Sequence, residues 1–180
     1  MELQDDYQKA ISFAGKKHSD QLLPGSDISY MVHLSNVAME IILANEHSPN
    51  FDRHFAVQVA LLHDLLEDTS TTFEEIESAF GINIARAVLA LTKNDQIPPV
   101  QQIPDSLNRI KSQPKEVWAV KLADRISNMQ KPPQHWDANK IVDYKKTAGI
   151  ILLQLRGGNQ YLENRLHQKI IEYNQFISAV

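Results

Sequence analysis

Cysteine is absent from the 180-residue chain, so no disulfide and no thiolate zinc site can hold the fold together. That absence fits a reducing compartment, and a cytoplasmic location is the expectation. No apolar run approaches the roughly 18 residues that would read as a membrane span, so no membrane partner is expected. The opening residues Met1-Glu2-Leu3-Gln4-Asp5-Asp6-Tyr7 are acidic and lack the basic-then-apolar order of a secretory signal. Positive charge is scarce as well. With 18 Lys and Arg against 22 Asp and Glu, the net charge of −4 argues against a nucleic-acid partner, though not against a local basic pocket for a phosphorylated small molecule. Alternating β-branched runs of the kind that make strands are missing too, as are internal repeats and low-complexity tracts.

What remains is helix after helix. At 43% hydrophobic the chain is long enough to bury a core unaided, and it reads as one all-α domain over residues 1–180 with about eight to ten helices. Tyr7, Ala10, Ile11 and Ala14 recur at three- and four-residue steps and predict a first helix over residues 3–18, ended by the loop Gln21-Leu22-Leu23-Pro24-Gly25. His33, Val37, Ala38, Ile41 and Ile42 define a second helix, and residues 52–67 a third. Thr72 and Glu75 form a capping box that opens a short helix, which Gly81 closes, and another follows over residues 84–92. Residues 94–104, with three prolines and four side-chain amides, predict a mobile loop. Helices over residues 115–129 and 138–155 and a last one reaching Phe176 complete the pattern. The stripe Leu162, Leu166, Ile170 and Phe176 is core or a subunit contact, which leaves a homo-oligomer open.

Into this apolar periodicity the third helix inserts His63-Asp64 and Glu67-Asp68. Burying such groups unpaired costs on the order of 2–7 kcal/mol for a polar group and more for a charge, so a divalent cation is the natural partner. Residues four apart share a helix face, which stacks His63 with Glu67 and Asp64 with Asp68. Two further groups of the same kind sit on apolar helices, His33 and Asp124. Two histidines with two aspartates form a mixed nitrogen and oxygen donor set suited to manganese, iron, zinc or a similar ion.

The order His33, then His63-Asp64, then Asp124 resembles the HD-domain phosphohydrolases. More narrowly it is similar to the hydrolase domain of the RelA/SpoT family and its small stand-alone metazoan homologues. The resemblance is carried by Tyr30-Met31-Val32-His33, by Ala60-Leu61-Leu62-His63-Asp64 with Glu67-Asp68-Thr69, and by Thr72-Phe73-Glu74-Glu75-Ile76. It continues through Leu91-Thr92-Lys93 and Val120-Lys121-Leu122-Ala123-Asp124-Arg125 with Asn128-Met129, and more weakly through Trp136 and Tyr144. It implies a single HD-domain helical bundle in which His33, His63, Asp64 and Asp124 hold a divalent metal, typically Mn2+. Glu67 and Asp68 match the acidic pair that activates or positions the attacking water. The implied reaction removes the 3′-pyrophosphate from guanosine tetra- or pentaphosphate, leaving GDP or GTP.

Substrate contacts implied by the same resemblance are Lys17, His18, Tyr30, Lys93, Lys121, Asn128 and Tyr144. Several have a plainer reading by spacing alone. Lys16 and Lys17 complement a helix end, Tyr30 packs, Asn128 is a helix-surface amide, and Lys121 pairs with Asp124. The chain also departs from the family pattern: Leu34 follows His33 where proline is common, Gln21-Leu22-Leu23-Pro24 is neutral where basic residues are usual, and residues 94–102 hold no Lys or Arg where both are typical. A guanosine carrying two diphosphates calls for several charge-assisted contacts. The alternatives therefore stay open: another phosphorylated nucleotide, such as the 2′-phosphate of NADPH or a nucleoside monophosphate, or a catalytically silent nucleotide-binding regulator.

Overall fold

The computed structural model describes residues 2–47 and 51–177. Among them the chain forms eleven helical segments: α1 Leu3–Lys17, α2 Met31–Glu46, α3 Arg53–Leu62, α4 Leu65–Asp68, α5 Phe73–Phe80, α6 Ile82–Leu91, α7 Pro99–Lys111, α8 Lys115–Asn128, α9 Ala138–Gln154, α10 Gln160–Glu172 and α11 Asn174–Ile177. The only extended pairing described is an isolated bridge between Leu22 and Ser29. No described helix is long and apolar enough to cross a membrane.

Helix α3 is the hub, packed against α1, α2, α6 and α8. Small side chains let the helices approach closely: Ala10 and Ala14 on α1, Ala38 and Ala44 on α2, and Ala56 and Ala60 on α3 are all fully buried. Larger residues, among them Leu34, Ile41, Leu61, Leu62 and Leu122, fill the space between. Truncating one of them, such as Leu61 to alanine, costs about 2–5 kcal/mol in a core of this kind. The helix starts follow local chemistry. Asp52 accepts from the Phe55 amide at 3.0 Å and Asp137 from that of Lys140 at 2.7 Å. Thr72 and Glu75 make the expected capping box, at 3.3 and 2.9 Å. Gly81, at φ +90°, turns α5 into α6, a backbone conformation that side-chain-bearing residues rarely adopt.

Three expectations need correction. The third helix does not run through to Glu67: it ends at Leu62, His63 and Asp64 form a turn, and α4 restarts at Leu65. Residues 94–104 are not one loop, because α7 begins at Pro99. Proline at the first helical position lacks only an amide that would be unpaired anyway, and the burial of Leu107 and Ile110 offsets the donor missing at Pro104. Arg109 then ties α7 to the end of α6, donating to the carbonyls of Leu89, Ala90 and Thr92 at 2.5, 3.2 and 2.7 Å. The last helix also divides, at Tyr173, into α10 and α11.

Candidate metal centre and active site

The break after α3 builds the centre. His63 turns its Nδ1–H onto the Ala60 carbonyl at 2.8 Å, which leaves Nε2 facing inward. Asp64 sits at φ −100° and ψ 1°, off the helical values, and serves as the N-cap of α4. A continuous helix would have spread His63 and Asp64 about 100° apart; the turn brings His63 Nε2 to 2.9 Å from Asp64 Oδ2. His33, in the first turn of α2, holds Ser127 Oγ with Nδ1 at 3.0 Å and presents Nε2 to the same point.

Four groups from three regions of the chain converge. His33 Nε2 lies 3.4 Å from His63 Nε2 and 3.5 Å from Asp64 Oδ2. Asp124 Oδ1, from α8, lies 3.5 Å from His33 Nε2 and 3.8 Å from His63 Nε2. One donor atom each from His33, His63 and Asp64 falls within a 4.8 Å span. His33, His63 and Asp124 are buried.

Outer contacts fix these groups. The Tyr30 hydroxyl donates to Asp64 Oδ2, Lys121 Nζ lies 2.9 Å from Asp124 Oδ2, and Asn128 Nδ2 donates to Asp124 Oδ1 at 2.6 Å. Burial alone would push the His63 pKa down. The Asp64 and Asp124 carboxylates overcome it and hold the imidazole up to about 10. Burial likewise opposes ionisation of Asp64 and Asp124, yet both lie well below the usual carboxylate range, Asp64 because of the two histidines and Asp124 because of Lys121 and His63. The Tyr30 phenol is pushed up by burial and by Asp64, so it stays protonated and able to donate.

The donor set fits a divalent cation. Two imidazole nitrogens face each other between two carboxylates, an arrangement that only a positive charge, a proton or a metal, makes favourable. Imidazole and carboxylate together suit first-row ions. Each inward atom also has the outer partner that orients a ligand, through Ala60, Ser127, Tyr30, Lys121 or Asn128.

The HD-domain family model matches residues 10–150, a span holding all four converging groups. The chain belongs to the HD-domain family. Guanosine-3′,5′-bis(diphosphate) 3′-pyrophosphohydrolase MESH1 of Danio rerio is 31% identical over 91% of this HD-domain chain and 92% of its own length. A guanosine-3′,5′-bis(diphosphate) 3′-pyrophosphohydrolase of Aquifex aeolicus is 32% identical over 70% of the chain, but over only 18% of its own length. A solved structure of a metazoan orthologue of SpoT superimposes with a TM-score of 0.80 at 23% identity, covering 95% of this chain and 96% of that one, so the fold is shared.

Around the HD centre the remaining residues divide. Glu67 accepts from the Lys93 backbone amide at 2.9 Å and from its Nζ, which ties α4 to the segment after α6. Burial opposes the Lys93 charge, but the Glu67 carboxylate raises its pKa. Asp68 Oδ2 accepts from Gln21 Nε2 at 2.9 Å. His18 is buried, stacked on Tyr30 with ring centroids 5.1 Å apart, and its Nδ1 meets Gln21 Oε1 at 2.5 Å. Tyr30, Lys121 and Asn128 touch the centre directly. Lys17 instead turns to Glu75 at 2.7 Å. Tyr144 belongs to an aromatic cluster, with the Arg125 guanidinium 4.3 Å over its ring and Trp136 at 5.0 Å.

Ser127 and Gln21 had no signal in the sequence that marked them. Ser127 is 94 residues from His33, and Gln21 is 47 from Asp68.

Proposed function

We propose that this chain, as a single HD domain over residues 1–180, is a metal-dependent phosphohydrolase. Its reaction removes the 3′-pyrophosphate of guanosine tetra- or pentaphosphate and degrades that nucleotide in the cytoplasm. The observation that carries the reading is the convergence of His33, His63, Asp64 and Asp124, with Glu67 and Asp68 on the adjoining turn. The activity named for the Danio rerio relative supports the substrate. His33, His63, Asp64 and Asp124 would hold the metal; the donor set suits a first-row divalent ion, and Mn2+ is the one that the family resemblance implies.

When bound, the cation supplies positive charge against the phosphoryl oxygens and makes water easier to deprotonate. The chain's own residues do the rest. Asp68 has Oδ2 held by Gln21 and takes the proton of the attacking water through Oδ1. Glu67, with both oxygens on Lys93, orders that segment and brings a cation to the phosphates. Lys121 and Asn128 hold Asp124 and line the approach. Asn128, Lys93, Lys121 and Tyr144 are the candidate substrate contacts, with Lys17 reaching the substrate only after leaving Glu75.

A second reading, a less anionic nucleotide such as one bearing a single phosphate, is favoured by one observation. Lys17, Lys93 and Lys121 are each already paired with a carboxylate. One experiment separates the two. Mn2+-loaded protein is incubated with guanosine-3′,5′-bis(diphosphate), NADPH and nucleoside monophosphates, and the phosphorus products are followed. Pyrophosphate from the guanosine compound is the expected product; orthophosphate with no pyrophosphate from that compound overturns the pyrophosphohydrolase reading.

A further inference from the structure

Given a hydrolase in which Asp68 handles the attacking water, we infer that Gln21 is a positioning residue that sets the orientation of the Asp68 carboxylate, backed by His18. A carboxylate only accepts, so the Gln21 side chain must present its amide nitrogen to Asp68 Oδ2 at 2.9 Å and its oxygen to His18. His18 Nδ1, 2.5 Å from that oxygen, is then the protonated nitrogen of the ring. His18 is itself held: it is only 1% exposed, it stacks on Tyr30, and its Nε2 has no hydrogen-bond partner.

The backbone locks the same unit. The Tyr30 amide donates to the Gln21 carbonyl at 2.9 Å, and the Tyr30 hydroxyl donates to Asp64. Gln21 therefore joins the end of α1, the start of α2 and α4. One Asp68 oxygen, Oδ2, is occupied, which leaves Oδ1 to the reaction. The neutral segment after α1 supplies an amide, which fixes a carboxylate without competing for its charge as a lysine would.

The test compares wild type with Gln21→Met, which keeps the volume and removes both hydrogen bonds, and with His18→Phe, which keeps the stack and removes the Nδ1 donor. Crystal structures and thermal midpoints are measured with kcat, KM and Mn2+ affinity. The Gln21→Met carboxylate of Asp68 is expected to rotate away from its wild-type position. Its kcat is expected to fall about 10- to 100-fold, the range for an outer-shell partner, with KM and Mn2+ affinity within about threefold. His18→Phe is expected to act in the same direction and non-additively with Gln21→Met. An unmoved Asp68 carboxylate in the Gln21→Met crystal overturns the inference, whatever the substrate, as does a kcat within about threefold of wild type or a parallel collapse of Mn2+ affinity. A wild-type protein that releases no pyrophosphate overturns the proposed reaction instead, and the position of Asp68 in the two crystals still decides the role of Gln21.

Discussion

The Tyr30 phenol donates to Asp64 Oδ2, the same oxygen that meets His63 Nε2 at 2.9 Å and His33 Nε2 at 3.5 Å. One carboxylate oxygen is thus shared by a residue preceding α2, a residue within α2 and the turn after α3. Tyr30→Phe removes the donor and leaves that oxygen less well oriented. The expected result is a loss of about tenfold in Mn2+ affinity, read by calorimetric titration, with a stability cost of about 1–3 kcal/mol read by urea unfolding.

Lys121 and Asp124 give a second outcome whose sign depends on metal. Lys121→Met deprives a buried carboxylate of the cation that holds it ionised. The metal-free variant should be less stable by about 1–3 kcal/mol. Added Mn2+ then supplies the missing charge, so the rise in thermal midpoint on metal addition should be larger in the variant than in wild type. A smaller rise would contradict the pairing.

Glu67→Ala and Asp68→Ala test the acids without touching the four converging groups. Each should bind Mn2+ nearly as wild type does; Asp68→Ala should lose about 10²- to 10⁴-fold in kcat, the range for a general acid–base group, and Glu67→Ala should lose kcat through release of Lys93. Glu67→Ala should in addition loosen the segment around Lys93, measurable as faster amide exchange at Lys93, because it removes the acceptor of both its nitrogens. Full activity in the double variant would remove these residues from the reaction.

Arg109 acts on the same segment from the other side. Its guanidinium holds the carbonyls of Leu89, Ala90 and Thr92. Arg109→Met should cost about 1–3 kcal/mol by chemical denaturation and lower turnover through displacement of Lys93, with Mn2+ affinity unchanged.

Tyr144 supplies a pH test. Burial pushes its phenol up to about 12 from the ordinary value of 10.0, while Arg125 opposes the shift. The folded pKa is raised above the unfolded one, so the contribution is fully present below pH 10 and is lost as pH rises through 12. Wild type should therefore lose on the order of 2 kcal/mol more than Tyr144→Phe between those limits. Unfolding curves at pH 9, 10, 11 and 12 check it, and parallel losses in the two proteins would contradict the assignment.

Much of the fold was legible because its signals are local. The stripe Tyr7, Ala10, Ile11 and Ala14 gave α1, and Thr72 with Glu75 gave the start of α5, since both depend on residues three or four apart. The prolines at 98, 99 and 104 misled for the same reason. Locally they read as a loop, and it is the long-range burial of Leu107 and Ile110, with Arg109 on the α6 carbonyls, that makes α7 a helix.

The sequence by itself determined which groups are the candidates for the chemistry. His33, His63, Asp64 and Asp124, with Glu67 and Asp68 beside them, stood out as ionisable residues in apolar helical periodicity, a cost that asks for a cation. Tertiary structure alone decided how they meet. The turn at His63 and Asp64, the Ser127 hydroxyl behind His33, the Tyr30 hydroxyl on Asp64 and the Gln21 amide on Asp68 join atoms distant in the chain. Helical periodicity reports only neighbours within a turn or so along one helix, whereas these contacts exist only once packed helices bring their ends to one point.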